Sequence, residues 1–165
     1  MTKGIVSGVV SNMVTLRVDG PVLQGEICYI TTGGDRLMAE VIKVVGSDVY
    51  VQVFESTRGL KVGSQAEFTG HQLEIQLGPG MLSKNYDGLQ NDLDKMDGVF
   101  LRRGQYTAPL DEDRLWDFEP IVKAGDRVQG SDWLGKVEEN HQPLKIMAPF
   151  QMEGTAVVKS IVPSG

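Results

Sequence analysis

Between Gly4 and about Gly70, short apolar runs that alternate with polar residues are cut by turn residues at nearly regular intervals, and few architectures accommodate that pattern. Val14, Leu16 and Val18 alternate until Asp19-Gly20-Pro21 breaks the run. Glu26 to Thr31 reads as the next strand and Thr32-Gly33-Gly34-Asp35 as the next turn. Leu37 to Val45 leads through Gly46-Ser47-Asp48 into Val49, Val51 and Val53, whose interleaving with Tyr50, Gln52 and Phe54 suits a sheet with one face in a core. Glu55 to Ser64 is too polar and glycine-rich for a buried strand, and reads as an ordered loop pinned by Leu60 and Val62 before a last strand, Gln65 to Thr69. A small antiparallel sheet escapes exposed edges by closing on itself, so the spacing predicts a closed or nearly closed barrel.

Beyond the barrel the texture changes twice. From His71 to Leu77, Leu73, Ile75 and Leu77 alternate with polar residues, which predicts a strand leading away. The run Leu77-Gly78-Pro79-Gly80-Met81-Leu82 then concentrates residues of restricted geometry and offers no reactive side chain, so it reads as a joint. Tyr86-Asp87-Gly88 reads as a capped turn, Leu82 to Gln90 as a turn or two of helix, and Asn91 to Asp97 as a charged connector closed by Phe100-Leu101-Arg102-Arg103-Gly104. From Leu115 onward, Lys123-Ala124-Gly125-Asp126-Arg127-Val128 and Ser131-Asp132-Trp133-Leu134-Gly135-Lys136-Val137 repeat a Gly/Ser-Asp-x-apolar unit, with Ile146-Met147-Ala148-Pro149-Phe150 and Gly154-Thr155-Ala156-Val157-Val158 supplying the other half. This arrangement is similar to the barrel-sandwich fold of lipoyl and biotinyl carrier domains.

The residues then exclude most chemistry. The net charge of −6, with few aromatics, opposes nucleic acid as the main ligand. Cys28 is the only cysteine, which forbids an internal disulfide and fits a reducing compartment. Met1 to Gly8 lacks the basic start and apolar core of a secretory signal, and nothing approaches the ~20 apolar residues of a membrane span. No G-x-x-x-x-G-K-[ST] run occurs, and the only Gly-Lys pair, Gly135-Lys136, is followed by Val137 and reads as part of a turn, so the chain is expected not to hydrolyse ATP. His71 and His141 have no second ligand at metal-binding spacing. Asp111-Glu112-Asp113 cannot all face one point, and Asp92, Asp94 and Asp97 lack the glycine and distal Glu of a calcium loop. In a carrier domain a lysine at a hairpin tip takes the cofactor. Counting back from Ala148-Pro149, that tip falls on Glu138-Glu139-Asn140-His141, and an imidazole cannot form the amide, while Lys145 occupies a strand position. Trp116 and Trp133 are expected to anchor the small domain's core, with Met147 and Met152 near Phe150 available for a contact surface. No catalytic, cofactor-binding or metal-binding residue is assigned.

Five ordered stretches resemble the catalytic A subunits of vacuolar/archaeal-type rotary ATPases. They are Gly4-Ile5-Val6 with Asp19-Gly20-Pro21, Val51 to Leu60, Gly78-Pro79-Gly80 with Tyr86-Asp87-Gly88-Leu89-Gln90, Phe100 to Gly104, and Lys145-Ile146-Met147-Ala148-Pro149. The resemblance implies a mainly β chain: a six-stranded-type β-barrel over 1–70 (the collar domain), a linker over 71–110 towards a nucleotide-binding domain, and a small barrel-sandwich-like bulge over 111–165. It also implies an N-terminal portion of the subunit, ending at Val162-Pro163-Ser164-Gly165 where a sandwich needs a further strand. Partners implied are the B subunit in an alternating hexamer, the peripheral stalk and the central stalk, on the cytoplasmic face of a membrane. ATP and magnesium are implied for the full-length subunit, which would couple ATP hydrolysis or synthesis to proton or sodium transport. The sequence departs from the family pattern at Ser131, which replaces the usual glycine of the second turn. The alternative expectation is a lipoyl/biotinyl-like carrier.

Overall fold

In the computed structural model, residues 2–96 and 103–165 are described. Asp97 and Phe100-Leu101-Arg102, singled out above, lie outside the described residues. The alternating segments form six strands: β1 (Lys3–Val10), β2 (Met13–Val18), β3 (Glu26–Thr32), β4 (Asp35–Val45), β5 (Asp48–Val53) and β6 (Gln65–Gln72). All neighbours are antiparallel, in the order β1-β2-β5-β4-β3-β6, and β6 pairs back onto β1 to close the barrel. Alternation decides which side faces in. Val49, Val51 and Val53 are buried while Tyr50 and Gln52 face out, and opposite them Val14 and Leu16 of β2 do the same. The interior is filled by aliphatic side chains around Phe68, which is 1% exposed. Breaks in register at Val6/Gly8, Glu26/Cys28 and Val41/Lys43 mark bulges, which bend a strand sharply enough for six to close.

Two details of the barrel differ from the sequence reading. β6 runs on to Gln72, and the alternating Leu73, Ile75 and Leu77 that follow are exposed and belong to no strand. Alternation had predicted a strand there, but alternation only fits side chains to a face, and a strand also needs backbone partners. Glu26 is buried at the β3 bulge, where its carboxylate accepts the Leu23 N–H at 3.0 Å and the Gly70 N–H at 2.7 Å. A charge is tolerated there because both oxygens are hydrogen-bonded.

The chain divides into two compact units, residues 1–75 with 96–106 and residues 76–95 with 107–165. In the second, Leu93–Lys95 form one 3-10 turn, β7 (Phe118–Pro120), β9 (Trp133–Glu139) and β10 (Gln142–Met147) form a sheet in the order β10-β9-β7, and β8 (Arg127–Val128) pairs with β11 (Ala156–Val157). The repeated Asp units are the same turn built twice. Asp126 Oδ2 accepts the Lys123 N–H at 2.9 Å, Asp132 Oδ2 accepts the Gln129 N–H at 2.7 Å, and each aspartate's own N–H returns to the carbonyl three residues back. Both turns need positive φ at the residue before the aspartate, which Gly125 (φ 95) adopts freely and Ser131 (φ 72) adopts against its Cβ. Ser131→Gly is therefore expected to raise the stability of this unit by about 1 kcal/mol, read as a higher urea midpoint of tryptophan fluorescence. No gain would mean that the serine side chain compensates its backbone.

The expected helix between Leu82 and Gln90 is absent. Ser83 (φ 62) and Gln90 (φ 61) leave the helical region, Asp87 Oδ1 takes the Leu89 and Asn91 N–H groups into a turn, and Tyr86 bridges to Asp92. The side-chain acceptor of Asp87 outcompetes the helical ladder, as short polar residues do at turns.

Candidate functional site

Among the described residues no three His, Cys, Asp or Glu side chains gather as metal ligands, and no helix is long and apolar enough to cross a membrane. Cys28 is fully buried, and burial followed by the Glu26 charge pushes its thiol up to about 12, so it is not a nucleophile at neutral pH. What the structure does build is a set of anchored backbone segments, one in the barrel unit and two in the second.

In the barrel unit, residues 103–106 return to the wall formed by β3 and β4. The Met38 N–H donates to the Tyr106 hydroxyl at 2.9 Å, the Gly104 N–H donates to Glu55 Oε1 at 3.0 Å, and Arg103 reaches the Arg58 carbonyl and Asp35. Tyr106 meets Tyr29 edge to face at 6.5 Å between centroids, and Arg36 lies 3.9 Å over the Tyr29 ring. Burial, offset in part by the Met38 N–H, raises the Tyr106 phenol well above its ordinary value, so this anchor is a neutral hydroxyl. Arg103-Gly104 was legible as part of a motif; its role as a strap on the barrel was not.

The second unit holds Asp92, read from sequence as part of a flexible charged connector. It is instead 1% exposed, paired with Lys84 at 2.9 Å and approached by Lys95 at 3.8 Å, with the Asp94 N–H on its other oxygen. The Lys84 hydrogen bond is the largest cause holding the Asp92 carboxyl below the usual carboxylate range, against the opposing effect of burial, and the same bond raises Lys84. Asn91 is buried beside it and accepts the Thr107 N–H at 3.0 Å, while Thr107 Oγ1 accepts the Asp92 N–H at 2.6 Å. Gln90 and Gln76 exchange two hydrogen bonds of 2.6 and 2.7 Å. Composition suggested a solvated connector because sequence shows charge but not the cation that will cover it.

The Gly-Pro-Gly run is held by Glu139. This carboxylate is 3% exposed and accepts the Gly80 N–H at 2.9 Å and the Leu82 N–H at 3.0 Å. Beside it, Asn140 donates to the Ser83 hydroxyl at 3.0 Å. The hairpin joining β9 and β10 turns on Asn140 (φ 50) and His141 (φ 62), the tight two-residue geometry that matches strand twist.

The remaining sequence candidates are dispersed. His71 and His141 are exposed, with weak pairs to Glu74 and Glu138, and Asp111, Glu112 and Asp113 are exposed in a turn. Trp133, expected in the core, is 49% exposed, and the Lys145 ammonium sits 3.3 Å over its ring. As a residue at the start of β9, where the register to Met147 shifts, Trp133 points outward, and the inward place falls to Leu134 and Gly135. Trp116 is half-buried under Arg114. Lys145 is a strand residue of β10, and the hairpin tip carries no lysine. Gly135-Lys136, expected in a turn, lies instead inside β9, where both residues pair with β10, and Lys136 is bonded to Glu119 at 2.7 Å.

Two family descriptions match the chain in succession. "ATP synthase alpha/beta family, beta-barrel domain" matches residues 6–70, and "ATPsynthase alpha/beta subunit barrel-sandwich domain" matches residues 107–165. The chain is 45% identical to the V-type ATP synthase alpha chain of Borreliella afzelii (strain PKo), over 99% of its own length and 29% of that protein's. It is 44% identical to the V-type ATP synthase alpha chain of Treponema denticola, over 99% of its length and 28% of the relative's. The protein of the same name from Borrelia turicatae is 43% identical, over 99% and 29%. The chain thus spans under a third of the length of the relatives it matches.

Proposed function

This chain belongs to the ATP synthase alpha/beta family, and we propose that it is the assembly and stator-contact portion of the catalytic A subunit of a V-type ATP synthase. The observation that carries this reading is the match over 99% of the chain to V-type ATP synthase alpha chains, with a closed barrel and a sandwich-type unit in the order of the two family domains. In this reading residues 1–70 form a collar with the barrels of B subunits, residues 71–110 lead towards a nucleotide-binding domain, and residues 111–165 form a bulge on the outer wall that meets the peripheral stalk. The complex would lie on the cytoplasmic face of a membrane. ATP and magnesium would be handled in the part of the relatives' length that this chain does not span, since its sequence contains no G-x-x-x-x-G-K-[ST] run. A chain of this kind, inactive alone, would belong to an ATPase that couples ATP hydrolysis or synthesis to proton or sodium movement.

The physical role follows from torque. A head that is pushed by a turning shaft must be held still, and a closed hydrogen-bonded sheet has no edge from which to unzip. Removing residues 111–165 from the full-length subunit is expected to abolish ion pumping or destabilise the complex while leaving nucleotide binding intact. Pumping at the wild-type rate after that deletion would refute the stator role. ATP turnover by the purified 165-residue chain would refute the assignment of the chemistry elsewhere.

A further inference from the structure

In a carrier-type sandwich the hairpin tip faces outward and presents a lysine. Here the same hairpin, with Glu139 at the end of β9 and Asn140 in its turn, is tied to the Gly78–Leu82 run by two hydrogen bonds and to Ser83 just after it by a third. We propose that the β9–β10 hairpin is a clasp, and that the Glu139 carboxylate sets the conformation of the Gly-Pro-Gly loop.

The geometry of the loop makes a single carboxylate sufficient. Pro79 has no N–H to offer, so the donors available in Gly78–Leu82 are few, and two of them, Gly80 and Leu82, converge on Glu139. Gly80 has φ 100, a conformation open to glycine and strained for other residues, and it turns the N–H groups into a small anion-binding concavity. In other proteins such a concavity takes a phosphate or a free carboxylate; here the chain supplies its own. Charge-assisted bonds of this kind are about twice as strong as neutral ones. The loop also seats on side chains of its own unit: a Cβ at Gly78 would come within 3.0 Å of Leu110, and one at Gly80 within 3.5 Å of the Trp116 ring. The clasp itself is stiff, because a two-residue turn closes β9 onto β10 with regular pairing from Glu139–Gln142 to Gly135–Ile146.

The proposal does not rest on the rotary assignment, and its test reads the loop directly. In the 165-residue chain, amide hydrogen exchange at Gly80 and Leu82 is measured for wild type, E139Q and E138Q. The glutamine keeps the shape but turns an NH2 group towards one of the two donors. Exchange at Gly80 and Leu82 is expected to rise at least about tenfold in E139Q, with Lys136 and Val137 in β9 changing less than about twofold and E138Q behaving as wild type. Unchanged protection at Gly80 and Leu82, or a uniform rise across β7, β9 and β10, would overturn the clasp. If E139Q does not fold, E139D decides: its carboxylate is one methylene short, so the same two amides must lose protection selectively, and wild-type protection there overturns the proposal.

Discussion

Phe68→Ala is expected to cost the barrel about 4 kcal/mol. Phe68 is the largest of the fully buried side chains among the described residues, Leu16, Ile30, Val51 and Ala66 of the same core are each 0–1% exposed, and strands closed into a ring cannot slide inward to refill the space. Domains of this size have a total stability of about 5–15 kcal/mol, so the loss removes a large part of what holds the barrel together. The measurement can be made unit by unit. Both tryptophans lie in the second unit, so their fluorescence follows that unit, whereas far-UV circular dichroism also follows the barrel. The variant should lower the dichroism midpoint in urea with a much smaller change in the fluorescence midpoint. A loss below about 1 kcal/mol would show that the interior repacks and that closure does not lock it.

The second large effect concerns a charge. Lys84→Met removes the nearest cation from the buried Asp92 and leaves Lys95, 3.8 Å away and half exposed, as its only remaining basic partner among the described residues. Leaving a buried carboxylate poorly compensated costs about 3 kcal/mol, seen here as a lower fluorescence midpoint at pH 7. Lys84→Met with Asp92→Asn together should recover part of that loss, since the unpaired charge has gone. The pH dependence has a definite sign. Asp92 is lowered in the folded chain, so its contribution is complete above the range in which an unfolded aspartate titrates, near pH 4, and is lost as pH falls through the lower native value. Lys84 is raised, so its contribution is complete at neutral pH and is lost only in strong alkali, as pH rises through the native value. Wild type and Asp92→Asn should therefore differ across the neutral range and begin to converge as pH falls below about 4, fully only below the lowered native value. A constant gap down to pH 2 would show that the pair contributes nothing.

How much was readable in advance differs between the two units for a physical reason. The barrel is written in apolar alternation: Val49-Tyr50-Val51-Gln52-Val53 dictates a face, and the face dictates closure. The second unit has a thin core, with Val128, Val137 and Ala148 its buried apolar residues among those described. It is held instead by side chains bonded to distant backbone: Glu139 to Gly80, Asn91 to Thr107, Thr107 to Asp92, and Tyr86 to the Pro109 carbonyl. Such bonds have no period. Asp126 and Asp132 could be found because they act on residues three positions away and occur twice. Asp92 and Glu139 could not, because the partners that make them structural lie elsewhere in the chain, and from sequence alone each looks like one more solvated acid. The reading of Trp133 failed for a related reason: size argues for burial, but strand register decides which side of the sheet a residue occupies.

The division of the chain into interleaved segments has a consequence for how it can come apart. The polypeptide passes from one unit to the other at 75–76, again at 95–96, and again at 106–107. A protease nick at the middle passage, 95–96, gives two fragments that each carry part of both units, so no covalent bond joins them but both units must open before they separate. The strap carrying Tyr106 can reach Met38 only after the residues between β6 and Tyr106 have been synthesised, so the six-stranded barrel leaves the ribosome before its last anchor is made.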